Sequence, residues 1–327
     1  MKRVLFGLSV LLALADCTKL DLEKGIRDGA QEAVDWMADV PDGAMLSRLC
    51  IPGAHDAASA GITDWTLWTR TQDLDLAGLW NAGVRAFDLR PAYKDGVMGI
   101  YHDKYSANIT FQEAMDALSL ALDLHPSETC IIIMRHEVEA DAASPEWHAH
   151  MAEYLTPYRE KIVSYHNGIT IGEMRGKFLV LSRNVYLNGP IGGQINSWSS
   201  STVLLQQQSA TVQGENSVTW PLWVQDHYNP KGADDKWEQV QRMFDLAAEC
   251  EEEPYPLVIN HTSGYLGDLP DYRSNARNIN ARAAQYVLSN SATAGIVMMD
   301  FAGVDRSGGK DVGGRTLVEA LIESCRK

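Results

Sequence analysis

The chain has 327 residues, 45% of them hydrophobic, with 43 acidic against 28 basic side chains and a formal charge of −15. That apolar fraction fills a sizeable core and excludes disordered, collagen-like and coiled-coil chains, while the length suits one large barrel or two ordinary domains. So acidic a surface argues against nucleic acid as a partner and against broad attraction to anionic membranes; an anionic substrate would need positive charge gathered locally.

In chain order the first element is an export signal. Lys2 and Arg3 precede an apolar run, Val4 to Ala15, that is too short to span a bilayer and ends in the small-x-small triplet Ala13-Leu14-Ala15. Residues 1–15 therefore read as a signal peptide, and loss of Lys2 and Arg3 leaves a chain two units more negative. Plain secretion is favoured. The alternative is a lipid on Cys17, for which Asp16 is a poor preceding residue. The cysteines at 17, 50, 130, 250 and 325 form no CxxC pair. Cys50 and Cys130 fall in apolar runs and read as buried thiols, whereas Cys250 and Cys325 are open to bridging after export.

β-rich runs follow at Arg48–Pro52, Val84–Leu89, Val97–Tyr101, Thr129–Met134, Phe178–Leu181, Pro221–Val224, Pro256–Ile259 and Gly295–Met299. Many are apolar at consecutive positions, as strands buried on both faces are. Between them lie helical stretches: Thr110 to Glu113 form a capping box that opens Ala114–Leu124, and Ala233–Cys250 and Asn278–Leu288 have amphipathic spacing. Eight strands alternating with helices predict an α/β fold, an irregular (β/α)8 barrel of TIM type in a single domain, with 184–219 as a loop-like stretch rich in Ser, Gly and Gln. Active sites of such barrels lie at the C-terminal strand ends. There the runs carry, in order, His55, Arg90, His102, Arg135, Arg183, Asp226, Asn260 with His261, and Asp300. Polar residues follow most strands in any protein, so the weight lies in the types: arginines, histidines and acids converging on one mouth.

Transfer of a phosphodiester to a neighbouring hydroxyl needs a base, an acid and an anion clamp, and two histidines with an arginine supply them at neutral pH without a metal. His55 and His102 are the candidate acid–base pair, Arg90 the clamp in a fork that lysine does not reproduce, and Asp56, Asp88 and Asp300 the carboxylates available to orient an imidazole. Plainer readings stand beside these. Arg90 pairs structurally with Asp88, Arg135 and Arg183 face solvent at the rim, and Asp226 and Tyr228 are turn residues ahead of Pro230. A two-metal phosphodiesterase is the chemical rival, with His55-Asp56, His102-Asp103 and His136-Glu137 as ligand pairs. Against it, HExxH spacing is missing and Arg90 puts a fixed positive charge where a cation would lie. Serine elbows, a P-loop and a dinucleotide fingerprint are absent, so neither a metal nor any other cofactor is expected.

The segments IPGAHDA, GVRAFDLRP, YHDKY, LHPSETCIIIMRHE, MRGKFLVLSRN, WVQDHYNP and GIVMMDF, in this order, resemble the bacterial phosphatidylinositol-specific phospholipase C family. The resemblance runs from about residue 35 to 325, so residues 16–327 are expected to form one catalytic barrel. It implies that His55 is the general base toward the inositol 2-hydroxyl, oriented by Asp300, and that His102 is the general acid toward the diacylglycerol oxygen, assisted by Asp56. It implies Arg90 as the phosphate-binding arginine beside Asp88, and Arg135, Arg183, Asp226 and Tyr228 as the residues that hold the inositol hydroxyls. Ala54 stands where the family usually has threonine, and Arg135 where some relatives have lysine. The implied reaction cleaves phosphatidylinositol to diacylglycerol and inositol 1,2-cyclic phosphate by a metal-free monomer in transient contact with a membrane surface. Trp65, Trp68 and Trp80 are candidates for insertion, although core packing explains tryptophan as well. Glycosylphosphatidylinositol anchors or soluble inositol phosphodiesters are the alternative substrates, and a non-catalytic inositol-binding barrel the alternative from another class.

Overall fold

Short apolar runs bounded by polar turns build the strands of this computed structural model, which describes residues 21–28, 35–138, 141, 144–184, 189–198, 210–251, 253–267, 270–290 and 295–326. The expected signal peptide and Cys17 lie outside the described residues. The strands are β1 (Cys50–Ala54), β2 (Ala86–Leu89), β3 (Pro91–Lys94), β4 (Val97–His102), β5 (Tyr105–Thr110), β6 (Cys130–Met134), β7 (Phe178–Ser182), β8 (Gly193–Asn196), β9 (Thr211–Gly214), β10 (Thr219–Gln225), β11 (Leu257–His261) and β12 (Gly295–Met299). A closed barrel runs in the order β1-β12-β11-β10-β9-β8-β7-β6-β2. Every residue of β1, β2, β6, β7, β11 and β12 is buried, as consecutive apolar positions require when both faces are covered. The architecture is the expected irregular α/β barrel in a single domain.

Two expectations need correction. The run Val97–Tyr101 is not a barrel strand: it is β4, the centre of an antiparallel sheet β3-β4-β5 beside the barrel. Asp95 and Gly96, with φ of 53° and 81°, form a two-residue turn between β3 and β4, and such a turn can only join antiparallel neighbours. The loop-like stretch 184–219, for its part, contributes β8 and β9 to the barrel, where β9 runs antiparallel to both β8 and β10. Both strands are four residues long and mix polar with apolar positions, so only Ile195 and Val212, partners in the register, signal the core.

The helices follow their caps. Phe111–Leu124 starts at the expected box, in which Thr110 Oγ1 accepts from Glu113 N at 3.1 Å and Glu113 Oε2 accepts from Thr110 N at 2.8 Å. Ala233–Glu249 matches its amphipathic stretch. Tyr272–Ser289 begins before the expected Asn278, because Asp271 caps it by accepting from Ser274 N at 3.0 Å. At the barrel floor Arg85 and Glu128, both fully buried, pair at 2.9 Å, with the guanidinium 3.9 Å over the Trp80 ring. Trp80 is thus a core residue, whereas Trp65 is 62% exposed and packs at a tilt against Trp68, with ring centroids 5.4 Å apart. No disulfide joins Cys250 to Cys325: the Cys325 thiol, buried, instead donates to the Cys50 carbonyl at 3.0 Å, and Cys50 and Cys130 are buried thiols as expected. Among the described residues no helix is long and apolar enough to cross a membrane.

Candidate active site

His55 leaves the end of β1 held from both sides. Its N–H donates to the Met299 carbonyl at 3.0 Å, and its own carbonyl accepts from Gln72 Nε2 at 2.7 Å and Thr71 Oγ1 at 3.1 Å. Gln72 Nε2 also reaches the Met299 carbonyl at 2.9 Å, tying the ends of β1 and β12 together. Asp300 follows β12 and is completely buried; its Oδ1 lies 2.8 Å from His55 Nδ1 and its Oδ2 accepts from Gly264 N at 3.0 Å. Gly264, at φ 146°, is demanded there, since a Cβ would lie 2.7 Å from the Tyr228 carbonyl oxygen.

On the other ring nitrogen, His55 Nε2 meets Arg90 Nη2 at 2.8 Å. A guanidinium only donates, so in the neutral ring this contact takes the lone pair on Nε2 and puts the proton on Nδ1, toward Asp300. Arg90 Nε lies 2.6 Å from Asp56 Oδ1, and Nη2 donates to Asp88 Oδ2 at 3.1 Å. Asp88 Oδ2 also accepts from Asp56 N at 3.2 Å, so both carboxylates are locked around the arginine. His102 Nδ1 lies 2.9 Å from the Thr69 carbonyl and 3.2 Å from Asp56 Oδ2. Two acceptors at Nδ1 place a proton there and leave Nε2 for exchange. His102 reaches this point from the β4 end of the side sheet, not from a barrel strand.

Charge is concentrated here. Burial alone would lower the His55 pKa, but the carboxylates of Asp56 and Asp300, the latter hydrogen bonded, outweigh it and push it up to about 9, with Arg90 opposing. Burial would raise Asp88, yet Arg90 and His55 hold its carboxyl far below the usual range. Asp56 is lowered in the same way by Arg90 and His102. The same carboxylates raise Arg90 against its own burial. On the opposite wall, burial lowers Arg183 to about 10 despite Asp226, and its guanidinium lies 4.1 Å over the Trp198 ring. Asp226 Oδ2 accepts from Trp198 Nε1 at 3.0 Å, and His261 and Arg183 bring its pKa down to about 2 against burial.

Nine of the ten expected residues, His55, Asp56, Asp88, Arg90, His102, Arg135, Arg183, Asp226 and Tyr228, line one cavity of about 340 Å³; Asp300 stands behind His55. Arg135 and Arg183, read also as rim residues, and Asp226 and Tyr228, read also as turn residues, thus line this cavity, with Tyr228 41% exposed. Arg90 does pair with Asp88, but within the cavity. Of the rival metal pairs, His136 is hydrogen bonded to Asn184, and Asp103 offers its backbone N–H, not its carboxylate, to Glu137. His55, Asp56 and Asp88 do present ligand atoms within 4.8 Å of one another, but Arg90 contacts both carboxylates.

Sequence reasoning missed Trp198, Gln72 and the placement of Glu137, whose carboxylate lies 3.7 Å from Arg90 Nη1. Trp198 lies in the stretch read as loop, and Gln72 has no motif around it. His261 was visible as a strand-end residue but without a role. The cavity as built offers an oriented imidazole, a second histidine backed by a carboxylate, and an arginine between them, next to a polar pocket of two arginines, an aspartate and a tyrosine.

No protein-family model matches the chain. A 1-phosphatidylinositol phosphodiesterase of Staphylococcus aureus (strain Newman) is 25% identical over 309 aligned residues, 89% of this chain and 93% of that protein. One from Listeria monocytogenes is 28% identical over 281 residues, 81% of this chain and 80% of that protein. A solved structure of the Staphylococcus aureus phosphatidylinositol-specific phospholipase C superposes with a TM-score of 0.72 at 22% identity, covering 88% of this chain and 96% of that one. In sequence over most of its length, and in fold, this chain resembles the bacterial phosphatidylinositol-specific phospholipases C.

Proposed function

We propose that the protein is a phosphatidylinositol-specific phospholipase C, cleaving phosphatidylinositol by transfer of the phosphoryl group to the inositol 2-hydroxyl. The observation that carries this reading is His55, with Nδ1 on buried Asp300 and Nε2 against Arg90. Neutral His55 takes the 2-hydroxyl proton at Nε2, and Asp300 steadies the imidazolium that results. The 2-oxygen bonds to phosphorus, the bond from phosphorus to the glycerol oxygen breaks, and His102 Nε2 delivers a proton to that oxygen. Arg90 moves from the imidazole to the non-bridging oxygens, where its charge offsets the growing negative charge. Diacylglycerol and inositol 1,2-cyclic phosphate leave, and slow hydrolysis of the cyclic product by the same pair follows. Arg135, Arg183, Asp226 and Tyr228 hold the ring hydroxyls.

In this reading no metal takes part, because Arg90 supplies the positive charge between Asp56 and Asp88 that a cation would supply. The apolar segment after Lys2 and Arg3 exports the protein. It acts as a monomer in passing contact with lipid through Trp65 and Leu67, which are exposed at the short helix whose last residue, Thr69, contacts His102 through its carbonyl. The test is phosphorus NMR of the purified protein with phosphatidylinositol and a chelator. A cyclic phosphate signal is expected; its absence, or its loss to chelator alone, overturns the reading.

A further inference from the structure

His261, at the end of β11, lines the same cavity between Trp198 and His55, with ring centroids 5.6 and 6.0 Å away. Its side chain is buried, its Nδ1 lies 2.9 Å from Ser263 Oγ and 3.9 Å from Asp226 Oδ1, and among the described residues its Nε2 has no hydrogen-bond partner. A carboxylate beside Nδ1 favours the proton on that nitrogen, which leaves a bare lone pair on Nε2. Burial first, then His55 and Lys236, lower the pKa to about 4 against Asp226 and Asp88, so the ring is neutral at physiological pH. A buried polar atom without a partner is costly, and this one belongs to a residue that lines the polar cavity.

We propose that His261 Nε2 accepts a hydrogen bond from a hydroxyl of the bound inositol ring, making His261 a specificity-determining residue of the headgroup pocket. The inference rests on the phospholipase reading and extends the hydroxyl-holding wall from Asp226 to β11. Asp226 and a neutral imidazole together form a wall that only accepts, which suits a ring presenting hydroxyl donors.

Three variants separate this from a packing role. His261→Asn keeps a group near Nδ1 for Ser263 but has nothing at the Nε2 position; His261→Gln places an amide near Nε2; His261→Phe fills the ring volume alone. Inhibition by myo-inositol and KM for a soluble inositol phosphodiester are the readouts, with thermal melting as a check on folding. Asn and Phe are expected to weaken both about tenfold, the effect of one lost hydrogen bond, with Gln recovering most of it. On the unmodified protein, the His261 Nε2 nitrogen resonance should move on addition of myo-inositol, a readout that holds even if a variant fails to fold. Unchanged affinity in the Asn variant, equal loss in Asn and Gln, or a resonance that stays put as myo-inositol saturates overturns the inference while the enzyme still cleaves phosphatidylinositol. If the unmodified protein does not cleave phosphatidylinositol, the parent reading and this one fall together.

Discussion

The pKa of His55 ties its surroundings to its chemistry. A base must be neutral to accept a proton, yet Asp56 and Asp300 outweigh burial and hold this imidazole up at about 9. The kcat/KM of such an enzyme rises with pH as His55 loses its proton. In Asp300→Asn one of the charges that raise the pKa is gone, so the rising limb should move to lower pH while the maximal rate falls about 10²–10⁴-fold. A pH profile of kcat/KM checks this, and a limb that moves to higher pH contradicts it. The ten candidate residues were legible in sequence as polar types after apolar runs and in the motifs that carry the resemblance, which supplied their roles. The state of His261 was not legible: nothing in a sequence separates an imidazole with both nitrogens occupied from one with Nε2 bare, since that depends on Ser263, Asp226 and the shape of the cavity.

Elements were legible to the extent that their signals are local. The Thr110 capping box announces the helix Phe111–Leu124 because donor and acceptor are three residues apart. Thr110→Ala should cost about 1 kcal/mol of unfolding free energy, read from the urea midpoint. The six strands buried throughout announced themselves by consecutive apolar residues. Strands β8 and β9 did not, because four mixed residues resemble a loop until a partner supplies the ladder. Strand β4 was found but misassigned: an apolar run shows that a strand exists, and only the Asp95-Gly96 turn shows that its neighbour is antiparallel.

For the whole molecule, the floor and the mouth of the barrel have separate requirements. Arg85 and Glu128 are buried together at the floor, with Glu128 Oε1 also accepting from Met37 N at 3.0 Å. Arg85→Ala strands that carboxylate without its counter-charge and should cost about 3–5 kcal/mol, measured by denaturation. Away from that floor, Trp65 is exposed and makes no contribution to the buried core. Trp65→Ala should weaken binding to phosphatidylinositol vesicles severalfold while turnover of a soluble inositol phosphodiester stays the same, which paired sedimentation and kinetic assays would show. A parallel fall in both activities would place Trp65 in the reaction rather than at the lipid.

By itself the sequence determined which residue types stand at strand ends, that the barrel strands are buried on both faces, and that a metal-free acid–base pair with an arginine was the chemistry to expect. These follow from local order, because hydrophobic period, caps and motif spacing are written within a few residues. Only the tertiary structure decided that His102, on a side sheet, meets the barrel site, that Trp80 is core while Trp65 is surface, that Cys325 bonds to the Cys50 carbonyl and not to Cys250, and that His261 lines the cavity with Nε2 unpaired among the described residues. Most of these depend on partners distant along the chain, and pairing and burial at that range exist only once the barrel has closed.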